Sequence, residues 1–446
     1  MPRPVKAPVS EPLFFEPEFN ENVLTPDPRT FRTPHDPKKD EELYKQVQNL
    51  LKKDTVSFPA ARGKPSDLLT LASSLGSQGP ADVEYIQKSG KIIFHAVGDT
   101  GASILGKLPG ELSVADHLAN DYHTSTRDNL PSFLFHLGDV VYDFGESQYY
   151  YDQFYEPFRN YPAPIFVIPG NHDSFVIPGT RPADAPLTTF MRNFCSTRPV
   201  ITKDAGSLHR TSMTQPGVYF ALDAPFVRVI GLFSNALEDP GVISSQKGQP
   251  VKWPGVPDYQ LAFLTAQLAR IKEEQFPGAV IIAVHHPPFT YEPPQETGGT
   301  GGHHMGNALM LAQIDAICKE QGVYPHAFIS GHSHNYQRYT RKLSFDGKNY
   351  SVPFVVAGNG GHNVTPLVQA RGGVMPHEPT PGEDVHYLDS TGSGLTLDQS
   401  DDKHYGYLRI IVDSEQLRIE YHPVSPAAPP SEVDTVVVNI ADHSVV

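Results

Sequence analysis

Five short clusters in the chain carry residues able to hold a metal, four opened by Gly and one by His after a valine. They are Gly98-Asp99-Thr100-Gly101, Gly138-Asp139-Val140-Val141-Tyr142, Gly170-Asn171-His172-Asp173, Val284-His285-His286-Pro287 and Gly331-His332-Ser333-His334. Together they offer carboxylates, a phenol, an amide oxygen and imidazoles. This mixed O/N set suits divalent or trivalent first-row metals, not copper(I) or iron–sulfur clusters, which favour soft thiolates. Two cysteines, Cys195 and Cys318, exclude both a thiolate metal site and a disulfide scaffold. A single Gly-Asp after a strand is ordinarily a turn or an N-cap, and a His beside Pro is ordinarily structural. Five clusters in one chain, each after an apolar run, point to one shared site.

The runs before the clusters are short and β-rich: 91–97, 132–137, 164–168, 279–284 and 326–330, with a further one at 353–357. Helical patterns at about 112–125, 258–274 and 307–321 separate several of them, and this alternation predicts an α/β fold. The pairs 218–222 with 227–232 and 405–412 with 417–421 read as β-hairpins, so the sheets are expected to be mixed. In an open α/β sheet the loops at the carboxyl ends of strands converge on one crevice, which would bring the clusters together.

Composition narrows the partners. With 35 Lys+Arg against 50 Asp+Glu, the net charge of −15 lacks the cationic footprint that nucleic acid or an anionic membrane requires. No run approaches the ~18 apolar residues of a membrane span, and 39% hydrophobic residues are enough for a substantial core. Residues 1–36 hold eight prolines and read as an extended arm; Asp36-Pro37 then starts a helix with Leu43, Val47, Leu50 and Leu51 on one face. The expected organisation is an arm with one short helix over 1–88, a catalytic domain over 89–441 and a tail over 442–446. Cys318, at helical spacing from Ile314 and Ile317, is expected in the core.

With these residues in view, the chain resembles the purple acid phosphatases among the calcineurin-like metallophosphoesterases. The superfamily pattern opens Asp-x-His, whereas here Asp99 is followed by Thr100-Gly101; Tyr142, three residues after Asp139, stands where the purple acid phosphatases put a Tyr in place of the lost His. His303-His304-Met305-Gly306 precedes the last cluster as a His-His-Met segment does in plant-type members, and 433–439 is similar to their closing strand. The resemblance covers about 89–441 and implies a four-layer αββα sandwich of two mixed β-sheets. It places Asp99, Asp139, Tyr142 and His334 on a first metal, and Asp139, Asn171, His285 and His332 on a second, with Asp139 bridging. A phenolate ligand wants a strongly Lewis-acidic ion, so ferric iron is expected at the first site; zinc, manganese or ferrous iron suits the second. The other reading of Tyr142 is packing within the aromatic cluster from Tyr149 to Phe158.

By the same resemblance the chemistry is hydrolysis of phosphate monoesters in a small phosphorylated substrate by a metal-activated hydroxide. His172 is expected to contact phosphate with Asp173 as its orienting partner, and His304, or else His303, to protonate the leaving group. The plain alternative for the latter pair is a solvated loop. His286 is not expected to be a ligand, and whether His362 reaches the site stays open. A phosphodiesterase is the nearest rival, since Gly-Asn-His-Asp replaces the Gly-Asn-His-Glu usual in plant members. A catalytically inactive binding module is the rival of another class, and the seven intact ligand positions argue against it. The visible start has no apolar stretch and so reads as cytoplasmic, whereas the resemblance implies an extracellular or periplasmic home. Oligomeric state is not legible.

Overall fold

A computed structural model describes residues 37–51, 69–174, 176, 186–206, 208, 210–234, 238–245, 256–294, 300–301, 304–389, 391–425 and 433–446. Two mixed sheets form the centre. The six-stranded sheet contains β2 (Lys91–Val97), β3 (Leu134–His136), β4 (Ile165–Val167), β15 (Tyr405–Asp413), β16 (Gln416–Val424) and β17 (Asp434–Asn439), in the order β17-β16-β15-β2-β3-β4. The nine-stranded sheet runs β1-β5-β6-β7-β9-β11-β10-β14-β13. Its members are β1 (Leu69–Thr70), β5 (Phe220–Ala224), β6 (Val227–Leu232), β7 (Ala279–Val284), β9 (Ala327–Ser330), β10 (Tyr336–Phe345), β11 (Lys348–Ala357), β13 (Glu383–Asp384) and β14 (Gly394–Asp401). A small third sheet pairs β8 (Thr300–Gly301) with β12 (Val368–Gln369). In the six-stranded sheet, β2, β3 and β4 are parallel neighbours; β6, β7, β9 and β11 are parallel neighbours in the nine-stranded one. Both expected hairpins, β5 with β6 and β15 with β16, are antiparallel pairs.

The side-chain period of two explains why β7 is apolar throughout. Ala279, Ile281 and Ala283 join the core shared with the six-stranded sheet. Val280, Ile282 and Val284 face the other way, into a second core. That second core is closed by α6 (Tyr259–Glu273) through Phe263, Leu264 and Leu268, and by α7 (Ala308–Gln321) through Met310, Ile314 and the buried Cys318. Helix α7 begins where the Asn307 side chain accepts from the N–H of Leu309 and Met310, a cap contributing about 1 kcal/mol. On the outer face of the six-stranded sheet lies α4 (Leu108–Thr124), whose Asp121 meets Arg409 of β15 at 3.0 Å and His95 of β2 at 2.7 Å. The layers are therefore helix, sheet, sheet, helix.

Helix α1 (Pro37–Leu51) starts at the expected Pro, with Val47 buried in the core. Packing into the sheets begins at Leu69: β1 pairs parallel with β5, and α2 (Leu71–Ser74) and α3 (Gly79–Ser89) follow. Helix α5 (Thr188–Phe194) stands between β4 and β5 in the chain. At the other end, Val445 bridges back to Val438, and His443 stacks between His326 and Tyr350.

Candidate metal centre and active-site cleft

The carboxyl ends of β2, β3 and β4 in one sheet and of β7, β9 and β11 in the other meet at one edge. Backbone bonds tie the loops across it: Gly98 N–H donates to Ala357 O (3.0 Å), Asp99 N–H to Gly138 O (2.9 Å), Gly331 N–H to His285 O (3.0 Å) and Gly360 N–H to Gly98 O (3.1 Å). Asp99, Asp139 and His332 have left-handed backbone, with φ of 59°, 54° and 66°. That is an uncommon conformation for residues with a Cβ, and here it turns three side chains into the crevice. Gly170 leaves room for one of them, since a Cβ there would collide with the Asp139 carboxylate.

The expected ligands gather in two adjoining groups. In the first, Tyr142 O–H donates to Asp99 Oδ1 at 3.0 Å and lies 3.2 Å from His334 Nε2. In the second, His285 Nε2 is 3.4 Å from Asp139 Oδ2 and 3.1 Å from Asn171 Oδ1. His285 Nδ1 donates to Leu137 O at 2.8 Å, which fixes the tautomer that turns an Nε2 lone pair to the centre. Ligand atoms of Asp139, His285 and His332 lie within 4.8 Å of one another. The groups are joined where His332 N–H donates to Asp99 Oδ2 (2.7 Å) and His172 N–H to Asp139 Oδ1 (2.9 Å).

Two observations fit this donor set to cations. His332 Nε2 is buried with no hydrogen-bond partner among the described residues; burial, with His286 and His304 beside it, holds the imidazole well below its ordinary pKa. A buried lone pair of this kind is what a metal takes up. Burial, then the Asp139 and Asp99 carboxylates, push the Tyr142 phenol well above its ordinary pKa, so that only a positive charge at that point would let it ionise.

Above the centre opens a cleft of about 420 Å³, lined among others by Tyr142, His172, His304, His334, Lys107 and Glu238. His304 overhangs both groups, its ring centroid 4.0 Å from that of His332 and 5.2 Å from that of His334. It is buried rather than solvated. His303 lies outside the described residues. The expected partnership of Asp173 with His172 is corrected: the His172 Nδ1 donates to Asp143 O (2.9 Å), while the Asp173 carboxylate accepts from the N–H of Val140, Val141 and Gly170. A buried carboxylate is satisfied best by the free N–H groups of tight loops, so Asp173 stitches the Asp139 loop to the Asn171 loop. Burial and the nearby Asp139 raise its pKa to about 7.

His286 bonds Ser234 Oγ (2.6 Å) through Nδ1, whereas His362 does reach the site. Its ring stacks on Tyr142 with centroids 3.5 Å apart, and Lys107 Nζ donates to its Nε2. Sequence reading missed Glu238 and Asp239. Asp239 accepts from Met305 N–H (2.9 Å), Oδ1 lies 3.5 Å from His332 Nε2, and Oδ2 lies 3.9 Å from His304 Nδ1. The available signal was position: the pair follows β6, another parallel strand ending at the same edge.

The profile of the family described as calcineurin-like phosphoesterase matches residues 94–336, more than half of the chain. The chain belongs to that family. Solved structures similar to it include a purple acid phosphatase, PPD1, from yellow lupin (Lupinus luteus) seeds, with 16% identity and a TM-score of 0.47 over 77% of this chain and 53% of that one. PhoD has 12% identity and a TM-score of 0.45 over 80% and 71%. GAP50, the anchor in the inner membrane complex of Plasmodium, has 10% and 0.44 over 75% and 84%. The chain thus spans about half the length of the lupin structure. No curated protein matches it in sequence.

Proposed function

We propose that the chain hydrolyses phosphate monoesters at a two-cation centre of the purple acid phosphatase kind. The observation that carries this reading is the place of Tyr142, whose hydroxyl sits between Asp99 and His334 and beside the Asp139 group. Asp99, Asp139, Tyr142 and His334 would hold a ferric ion; Asp139, Asn171, His285 and His332 would hold zinc, manganese or ferrous iron. Two cations so held lower the pKa of coordinated water and neutralise charge on the phosphate. The chain's own side chains do the rest. Asp139 lies next to both groups and would serve both ions. His172, fixed through Nδ1 by the Asp143 carbonyl, turns Nε2 to the cleft and the phosphate. His304, above both groups, gives its proton to the leaving oxygen.

The test joins a spectrum to a rate. Metal-replete protein should contain about two ions per chain and, after mild oxidation, absorb in the visible through phenolate-to-iron charge transfer; Tyr142→Phe should abolish that absorption. A monoester should turn over faster than a diester with the same leaving group. Iron-free, colourless and active protein indifferent to Tyr142→Phe would make Tyr142 a packing residue. A faster diester would move the reading to a phosphodiesterase.

A further inference from the structure

Helix α1 carries a side chain into the candidate centre that none of the loop clusters supplies. Tyr44 stacks on His172, with ring centroids 4.6 Å apart and planes 14° from parallel. Its hydroxyl accepts from Asn171 Nδ2 at 2.6 Å and itself donates to the Glu238 carboxylate. Glu238 Oε2 is also 3.3 Å from Asn171 Nδ2. The helix is seated for this contact by the buried Val47 and by the partly buried Leu43 and Tyr44 itself.

The two ends of an asparagine amide have nearly the same shape, so packing alone does not decide which end faces a cation; hydrogen bonds do. Here the order of donors is set from its far end. The Glu238 carboxylate only accepts, so Tyr44 O–H donates to it, and the phenol oxygen is left to accept from Asn171 Nδ2. Reversing the amide would set Oδ1 against the Glu238 carboxylate and turn to the centre an NH2 group, which has no lone pair to give a cation, in place of the Oδ1 that now stands 3.1 Å from His285 Nε2. We propose that Tyr44 is a positioning residue for the second cation: through its hydroxyl it keeps the Asn171 oxygen turned to the centre, and through its ring it keeps His172 facing the cleft. The N-terminal helix is on this view part of the active site, and Glu238 is the anchor of the chain of hydrogen bonds. The inference rests on the two-cation reading above.

The experiment separates hydroxyl from ring. Full-length protein stripped by chelator is titrated with Zn²⁺ alone, comparing wild type with Tyr44→Phe and Tyr44→Ala. Removing the outer partner of a ligand typically costs 10–100-fold in metal affinity. Tyr44→Phe, which keeps the ring, should therefore weaken the second ion about tenfold, leave the first unchanged, and keep KM for an aryl phosphate within about twofold. Tyr44→Ala should weaken the second ion to the same degree and raise KM as well, since His172 loses its stacked neighbour. Equal affinity of wild type and Tyr44→Phe for the second ion overturns the proposal, and so does equal weakening of both ions. Wild type that takes up one ion only would instead overturn the two-cation reading on which it rests.

Discussion

Three of the candidate ligands of this chain sit in strained backbone. Left-handed backbone costs a non-glycine residue on the order of 1–3 kcal/mol, yet Asp99, Asp139 and His332 all adopt it. Each is held there by loop hydrogen bonds, and each gains a side-chain direction that extended backbone would not give. His304 is placed by a different device: the carbonyl accepts from Thr290 Oγ1 (2.7 Å), and the next N–H donates to Asp239. Such a grip suits a proton donor that must stay over the centre. His304→Ala should lower the rate for an alkyl phosphate by about 100-fold and for an activated aryl phosphate by only a few-fold, because an acidic phenol needs little help in leaving. Steady-state rates with the two substrates decide this. Equal losses would make His304 a phosphate-positioning residue, and the same dependence in His303→Ala would move the acid by one residue.

The parallel strands matter chiefly for where they stop. Once β2, β3, β4, β7 and β9 end at one edge, the space between their loops is set by backbone, and Gly170 occupies its tightest point. A Cβ at Gly170 would lie 2.6 Å from both Asp139 N and Asp139 Cγ. Gly170→Ala should therefore displace the shared carboxylate; a shift of about 1 Å at such a group can cost 100-fold in rate, and metal content should fall below two ions per chain. Gly106→Ala, at a position where a Cβ would meet nothing within 4 Å, is the control and should change neither. Full metal content in Gly170→Ala would show that the loop yields instead. Strands β10 and β14 were not legible as strands. Strand β10 reads Tyr-Gln-Arg-Tyr-Thr-Arg-Lys-Leu-Ser-Phe, too polar for a core, because its Arg341 is buried against Asp315 at 2.8 Å and Asp389 at 2.6 Å. Sequence alone does not show that two acids about 26 and 48 positions away supply the partners that let a cation be buried.

For the molecule as a whole, acid stability should depend on a joint far from the cleft. His326 accepts from Val280 N–H through Nδ1 (2.9 Å) and donates through Nε2 to Ile440 O (3.1 Å). Its ring stacks on His443, which stacks on Tyr350, and so the end of the chain is bound to the nine-stranded sheet. Burial lowers the His326 pKa to about 4. Burial, then His326 and Lys348, outweigh Asp442 and lower that of His443 to about 3. Both folded values lie below the unfolded 6.5, so the unfolded chain binds protons first. The stabilisation is whole above about pH 6.5 and is lost as pH falls toward 4 and then 3, about 3 kcal/mol from His326. Denaturant midpoints of the holoprotein between pH 7 and pH 4 should drop less in His443→Phe than in wild type, since Phe keeps the stack and removes one titration. Parallel declines would clear His443 of any part in the effect.

The candidate clusters are readable from sequence because they depend on side-chain type after a strand, and both are local. The five clusters stand out by type and position, and so do the strands that end beside them, since apolar runs and the turns after them are coded within about ten residues; the choice of Asp99, Asp139, Tyr142, Asn171, His285, His332 and His334 within the clusters comes from the family resemblance. The N-terminal helix is legible too, from Pro37 and its apolar stripe. What it touches is not. Tyr44 meets His172, Asp239 meets His332 and His304, and Asp173 turns away from its neighbour to bind three backbone N–H groups. Those facts depend on which segments two sheets bring to a common edge, and contacts between distant segments are decided by the packing of the whole core, which no local pattern of residues records.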